Sequence, residues 1–201
     1  MRVQFSTREL LDFALAWVAL SLAFALFFNG GPPLVDPASF LPLLAVSFLT
    51  AGVGFLLHEM AHKLTAIHFG KLAEFRADYG MLFIAVVTAL AGFLFAAPGA
   101  VYHRGRSTVR ENGLIALAGP LTNVALAVPF VPLLLFDGFA GLVGIYGVRI
   151  NLLLAGFNMV PFGPLDGRTV LDWNRTVFAG AFVLCVGLAV FALFGFGFPV
   201  L

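Results

Sequence analysis

The sequence contains little charge: Asp, Glu, Lys and Arg make up 10% of its 201 residues, whereas 61% are hydrophobic. A soluble globular domain has about 25% charged and about 45–50% apolar residues. A soluble fold of this length could not hide so many apolar side chains, because its surface has to be polar. Disordered and collagen-like chains are excluded as well, since their compositions are different. The composition therefore indicates a protein whose main solvent is the lipid bilayer.

Two further scarcities narrow the function. The single cysteine, Cys185, cannot form an intrachain disulfide, and within an apolar stretch we expect it to be a small buried hydrophobe. The net charge is only +1, which gives no electrostatic argument for nucleic acid. We therefore expect the bilayer as a partner and no nucleic acid, while the sequence leaves the oligomeric state open.

The charged residues are clustered, so that six long apolar stretches lie between them. Each stretch has 22 to 28 residues, and about 20 residues suffice for a helix to cross the hydrocarbon core. The spanning segments are expected to be helices, because the alternating pattern of a membrane barrel is absent. The loops are short, which indicates one membrane-embedded domain over residues 1–201. The stretches are 13–35, 37–58, 79–103, 112–136, 138–165 (with Arg149 as its one charge) and 176–201.

Three polar side chains come together at the end of the second stretch, in the motif His58-Glu59-x-x-His62. Residues four apart lie on one face of a helix, so both imidazoles can bind one Zn²⁺. The carboxylate of Glu59 is placed to take a proton from water at such a metal. Ionisable groups inside membrane helices are costly and mark functional sites. We therefore interpret the motif as part of a zinc site rather than as polar residues at a water-facing helix end.

Two histidines do not complete a catalytic zinc site, which holds three protein ligands and leaves one position open. His68 is one candidate, but on an unbroken helix it lies about 120° from the ligand face. Thr65 also replaces the glycine that turns the chain in the three-histidine motif of this spacing. His103 lies in a basic stretch and is expected to be a solvated loop residue.

A stronger candidate for the third ligand lies in the segment 158–167, which reads N-M-V-P-F-G-P-L-D-G. Pro161 and Pro164 remove backbone donors and break the helix. A broken helix at membrane depth is tolerated where it lines a wet or protein-covered cavity. Asp166 in this break is placed to be a carboxylate ligand, the alternative being a simple loop acid. The amide of Asn158 can donate to a substrate carbonyl or to an oxyanion.

Three motifs in this order resemble the site-2 protease family, zinc metalloproteases that cut within the membrane. The motifs are H-E-x-x-H at 58–62, A-G-P-L-T-N at 118–123 and the segment 158–167. The resemblance covers roughly residues 42–175, which would form the catalytic core. Neither a PDZ-like nor a nucleotide-sensing module is recognisable. Ala61 stands where many members have glycine, a mild change because alanine suits a helix better.

The resemblance implies a ligand set for one Zn²⁺ per chain: His58, His62 and Asp166. It implies that Glu59 is the general base and that Asn158 lies near the metal. The 119–123 motif would be structural, in the helix packing beside the site. The implied activity is hydrolysis of peptide bonds within or near transmembrane segments of membrane proteins, as in regulated intramembrane proteolysis.

The implied zinc site constrains which stretches cross the membrane. If all six crossed, His58 and Asp166 would lie on opposite faces and could not share a metal. If 79–103 instead enters and leaves on one face, both lie towards the cytoplasm, together with the basic residues, as the positive-inside rule requires. Arg149 is the exception. These basic residues are Arg2, Arg8, Lys63, Lys71, Arg76, Arg104, Arg106, Arg110, Arg168 and Arg175.

The sequence therefore predicts an all-α polytopic protein of the cell membrane, with the N-terminus and the site towards the cytoplasm. It has about five transmembrane helices plus a re-entrant segment with short β-strands; six transmembrane helices are the alternative. Gly92 divides the re-entrant segment into halves that are too short to span. The residues Pro98, Gly99, Ala100 and Val101 are suited to an edge strand, with which an extended substrate could pair.

Two other function classes remain open. A metal-ion or small-solute transporter would also contain a broken helix and buried carboxylates. The sequence has no internal repeat and no second broken helix in a matching half, which argues against it. An inactive protease-like membrane protein is the other alternative, and the retention of Glu59 and the ligands argues against that.

Overall fold

Five helical segments are long and apolar enough to cross a membrane in the part of the chain that the structure describes. The structure is a computed structural model that describes residues 3–30, 37–95 and 97–195; Arg2 and the stretch ends 31–35 and 196–201 lie outside these residues. The five-helix fold predicted from the sequence is confirmed, and the protein is a multi-pass membrane protein. The segments are Thr7–Phe28, Ala38–His68, Val109–Leu135, Gly138–Asn158 and Arg175–Phe194.

The second crossing consists of three consecutive helical pieces. They are α2 (Pro37–Ser47), a π-helical turn (Phe48–Gly52) and α3 (Val53–His68), and they follow α1 (Thr7–Phe28). The indole Nε1 of Trp17 in α1 donates to the carbonyl of Phe48 over 3.1 Å, at the start of the π turn. A Cβ on Gly52 would lie 2.3 Å from the same indole. The missing side chain at Gly52 thus lets α1 pack directly against the start of α3.

The third apolar stretch does not form a crossing helix. Its helix, α4 (Tyr79–Leu90), lies between two strands: β1 (Leu72–Ala77), which precedes the stretch, and β2 (Gly99–Arg104). α4 has 12 residues, about 18 Å of helix, whereas the hydrocarbon core is about 30 Å thick. The strands pair antiparallel, with Phe75 opposite Val101. Gly99 has a φ of +147°, and a Cβ there would lie 2.3 Å from the carbonyl oxygen of Arg76. The predicted short strands are present, and β2 begins one residue after Pro98.

The second half of the chain brings the broken helix back to α3. α5 (Val109–Ala127) continues as a 3₁₀ helix (Val128–Leu135), and α6 (Gly138–Asn158), α7 (Asp166–Trp173) and α8 (Arg175–Phe194) follow. The predicted break is present: α6 ends at Asn158 and α7 begins at Asp166. A Cβ on Gly167 would lie 2.1 Å from the carbonyl oxygen of Met159. The break is therefore tightly folded onto the end of α6.

The packing of α6 on α8 makes a prediction about Gly156. Small residues let membrane helices approach closely, and a Cβ on Gly156 would lie 2.6 Å from that of Ala189. We expect Gly156→Ala to lower the free energy of unfolding by about 1–3 kcal/mol through overpacking. The measurement is thermal unfolding of the purified protein in detergent. Gly187→Ala on α8 is the control, because a Cβ there meets nothing within 4 Å; equal midpoints for both variants would contradict the packing.

Candidate metal centre

His58, Glu59 and His62 lie together on α3, where helical spacing places both histidines on one face. Their exposed fractions are 4%, 7% and 7%, and one ligand atom from each lies within 4.8 Å of the others. The helix continues for six residues beyond His62 and ends at His68. These residues are therefore buried inside the protein, not polar groups at a water-facing helix end.

Asp166, the first residue of α7, brings a carboxylate to the same point. Its Oδ2 lies 3.2 Å from Nε2 of His58 and 3.4 Å from Nε2 of His62. Zinc binds His and Asp at about 2.0–2.2 Å in a tetrahedron, whose ligand atoms are then roughly 3.3–3.5 Å apart. The carboxylate oxygen of Asp166 therefore already lies at zinc-ligand spacing from each of the two imidazole nitrogens.

The electrostatics of Asp166 fit the same arrangement. Its Oδ2 is buried and has no hydrogen-bond partner among the described residues. Nε2 of His58 and Nε2 of His62 face this oxygen at 3.2 and 3.4 Å. An ionised, buried oxygen without a donor, facing two imidazole nitrogens, is the donor set that a divalent cation would satisfy.

The far nitrogens of both imidazoles are held by α5. Nδ1 of His58 lies 2.5 Å from Oδ1 of Asn123, and Nδ1 of His62 lies 2.7 Å from the carbonyl oxygen of Ile115. A carbonyl can only accept, so each Nδ1 carries the hydrogen and each Nε2 presents a lone pair. Hydrogen bonds of this kind fix the tautomer and the ring orientation of metal-binding histidines.

The amide of Asn123 is itself oriented by α3 and α6. Its Nδ2 donates to the carbonyl of Gly54 at 3.1 Å and to Oδ1 of Asn151 at 3.0 Å. The amide of Asn151 donates in turn to the carbonyl of Gly147 at 2.9 Å. With both hydrogens of Asn123 engaged, its oxygen has to face His58. Sequence reasoning missed Asn151. An amide side chain within a long apolar stretch was the sequence signal that could have indicated it.

Gly119, in the second of the three sequence motifs, lies directly against both histidines. A Cβ on Gly119 would lie 2.5 Å from Nε2 of both His58 and His62. Only a glycine lets the backbone of α5 come so close to the prospective metal position. This part of α5 therefore lines the centre, beyond the packing role that the resemblance implied.

The other polar residues singled out in the sequence lie on three different elements. Asn158 ends α6, and its Nδ2 donates to the carbonyl of Leu154 at 3.0 Å. His68 lies exposed at the end of α3, with its ring edge-to-face against Phe69. His103 was expected in a solvated loop, but it lies on β2, partly buried. Burial, together with nearby Lys71 and His62, lowers its pKa.

The edge of β2 approaches Glu59. Val101 packs into the same apolar cluster as Leu56 and Met60 of α3, and its backbone N–H lies near the Glu59 carboxylate. The sheet has two strands within the described residues, so β2 has one edge that does not pair with β1. Gly99, Ala100 and Val101 belong to this strand, and the carbonyl of Pro98 just before it accepts from the N–H of Asp78 at 3.0 Å.

Comparison with known proteins gives two close relatives. The chain is 39% identical over 196 residues to a Methanocaldococcus jannaschii protein named "Putative zinc metalloprotease MJ0611", covering 95% of this chain and 97% of the relative. It is 30% identical over 159 residues to the Bacillus subtilis "Putative zinc metalloprotease YwhC", covering 68% and 70%. The chain belongs to the site-2 protease family of zinc metalloproteases. No family model and no solved structure matches this site-2 protease homologue.

The hydrogen bond from His58 to Asn123 predicts a loss of metal affinity when Asn123 is removed. Asn123→Ala frees the His58 ring and leaves buried partners on α3 and α6 unsatisfied. We expect the affinity of the purified protein for Zn²⁺ to fall about 10–100-fold, measured by competition with a chelator. Thr122→Ala, one residue away on α5, is the control and should keep the affinity of the unaltered protein. Equal affinities for both variants would contradict the orienting role of Asn123.

Proposed function

We propose that the protein is an intramembrane endopeptidase that uses one Zn²⁺ to hydrolyse peptide bonds in or near transmembrane segments of protein substrates. The observation that carries this proposal is the carboxylate oxygen of Asp166, which lies at zinc-ligand spacing from Nε2 of both His58 and His62. Family membership supports the same reaction. These three residues would hold the metal, and Glu59 stands beside it as the general base.

The proposed reaction assigns one proton-transfer role and one charge-stabilising role to the chain. When bound, the zinc ion supplies a Lewis acid that activates water and polarises the scissile carbonyl. Glu59 takes a proton from the attacking water and returns it to the leaving amine. Asn158 stabilises the developing oxyanion. One hydrogen of its amide goes to Leu154, and an amide has two.

We infer that the substrate approaches as an extended strand along β2. An intact helix hides its carbonyls within its own hydrogen bonds, so a substrate helix has to open before attack. The residues Pro98, Gly99, Ala100 and Val101 offer the edge with which the opened segment pairs. Pairing along β2 would bring the substrate backbone next to Glu59, because the backbone of Val101 lies near the Glu59 carboxylate.

The proposed role of Glu59 as general base leads to a prediction about cleavage. Glu59→Gln keeps the three proposed ligands but cannot accept a proton. We therefore expect unchanged zinc content, with cleavage of a transmembrane peptide reduced about 10²–10⁴-fold or more. Asp172→Asn is the matched control, because this carboxylate is exposed on α7 and pairs with Arg168; it should leave both quantities unchanged.

Other outcomes of the same experiment would assign the protein to another class. Equal cleavage by the Glu59→Gln variant and the unaltered protein would overturn the mechanism. If the unaltered protein binds zinc without cutting, and moves the metal into liposomes, the transporter alternative would be favoured. Zinc binding with neither cleavage nor flux would favour an inactive protease-like protein.

The proposed orientation predicts a labelling pattern. We place the N-terminus and the centre towards the cytoplasm in the cell membrane, with α4 entering from that side and returning to it. In a Cys185→Ala background, Arg106→Cys should react with a hydrophilic maleimide only when the inner face is accessible. Asp137→Cys should react from outside in intact cells, and Phe93→Cys should not. Labelling of Phe93→Cys from outside would contradict the re-entrant segment.

A further inference from the structure

A buried ion pair outside the metal centre joins α1, α3 and the hairpin. Nζ of Lys63 lies 2.6 and 2.5 Å from the two carboxylate oxygens of Glu9. The side chains are 0% and 1% exposed. Lys63 directly follows His62, so this carboxylate is fixed to the helix that carries the metal-binding face. The proposed reaction uses neither residue.

The same carboxylate also holds β1. The N–H of Phe75 donates to Oε1 of Glu9 at 2.9 Å. The Phe75 ring is fully buried, stacks on Phe13 of α1 at 4.4 Å and meets Phe55 of α3 at 5.8 Å. The outer edge of β1 is therefore closed by α1 at this residue.

The register of the hairpin transmits this contact to the centre. In an antiparallel pair, opposite residues alternate between those that bond to each other and those whose N–H groups point outwards. The N–H of Phe75 points out to Glu9, so Phe75 and Val101 form an outward-pointing pair. The N–H of Val101 accordingly points to the opposite side, away from β1, and Val101 packs there with Met60, the residue after Glu59 on α3. A single line of contacts thus runs from Glu9 through Phe75 and Val101 to Glu59.

Neighbouring contacts along α1 hold the hairpin in the same register. The carboxylate of Asp12 accepts from Nη1 of Arg76 at 3.4 Å and from the hydroxyl of Tyr79. The hydroxyl of Ser6 donates to Glu74. Successive β1 residues are thus engaged by one face of α1, with Glu9 at the centre and fully buried.

Stability alone gives no reason to keep a charged pair here. Replacing a buried ion pair by apolar residues of similar volume is often neutral or stabilising. A carboxylate accepts from several donors in fixed directions, which an apolar side chain cannot do. The pair therefore has a positional use: it ties the substrate edge to the catalytic helix.

We propose that Glu9 is a positioning residue, whose contact with Phe75 sets the substrate-pairing edge of β2 at the correct distance from Glu59. This inference rests on the proposed function, since it assigns the binding of the same substrate. Without the contact, β1 moves relative to α1, and the edge of β2 moves away from Glu59. Substrate binding should then weaken, while zinc binding, which depends on α3, α5 and α7, should not.

Two double variants separate the positional role from the ion pair. Each removes both charges together, because a single substitution would leave a buried unpaired charge and could prevent folding. Glu9→Gln with Lys63→Met keeps an oxygen that accepts from Phe75. Glu9→Met with Lys63→Met removes that acceptor as well. The first variant is the matched control for the second.

The first measurement needs no substrate. Hydrogen–deuterium exchange of the zinc-loaded protein should be about tenfold faster at Phe75 and Val101 in the Met–Met variant, because the Phe75 amide has lost its acceptor. The Gln–Met variant should keep the protection of the unaltered protein, and both should keep its zinc content. Unchanged exchange in the Met–Met variant would overturn the inference, whatever the protein's activity.

The second measurement is the dissociation constant of a transmembrane peptide, determined in the Glu59→Gln background so that nothing is cut. The Met–Met variant should bind the peptide about tenfold more weakly, which is the effect expected for one lost hydrogen bond. The Gln–Met variant should bind it within about threefold of the Glu59→Gln parent. Equal affinities, or an equal loss in both variants, would overturn the positioning role. If the chain with intact Glu59 cuts no peptide, the proposed function fails instead, even where the exchange result holds.

Discussion

The arrangement of the centre depends on how closely α5 approaches the histidine face of α3. Gly119 lies against the two Nε2 atoms, and Ile115 and Asn123 lie four residues before and after it. His58 and His62 lie four residues apart on the facing helix, whereas their partners on α5 lie eight residues apart, one on each side of Gly119. Each histidine thus has its own partner on α5, and the glycine between the partners leaves space for a metal.

That approach also determines how the rest of the bundle reaches the centre. A Cβ on Gly113, near the start of α5, would lie 2.5 Å from Trp173 at the end of α7, so α7 packs directly on α5. The tight break before α7 then delivers Asp166 from the other end of the same short helix. From Asn123 the hydrogen bonds continue into α6 through Asn151. Each of these buried amides has partners, which is the condition for polar groups in an apolar interior.

Sequence reasoning could predict what depends on local chemistry. Apolar length gave six candidate stretches, and the requirement that the zinc ligands share one membrane face reduced the crossings to five. The i, i+4 rule gave the histidine face, and two prolines gave the break before Asp166. Contacts between residues that are far apart in the sequence could not be predicted in this way. The sequence placed Lys63 among the basic residues towards the cytoplasm, and only the structure shows that it is buried against Glu9, 54 residues earlier. His103 similarly occupies a strand, because β2 extends beyond the predicted residues 98–101 where it pairs with β1, with His103 opposite Ala73.

The bilayer explains why the hairpin has two different edges. A sheet edge presents unpaired backbone groups, which carry a high free-energy penalty wherever water is scarce. On β1 this penalty is removed by α1, whose Glu9 accepts the N–H of Phe75. On β2 the corresponding N–H, that of Val101, lies near the Glu59 carboxylate. An incoming extended backbone can therefore pair with the second edge, beside the proposed general base. Backbone N–H and C=O groups inside a membrane need hydrogen-bond partners, and this requirement would also direct the substrate to the centre.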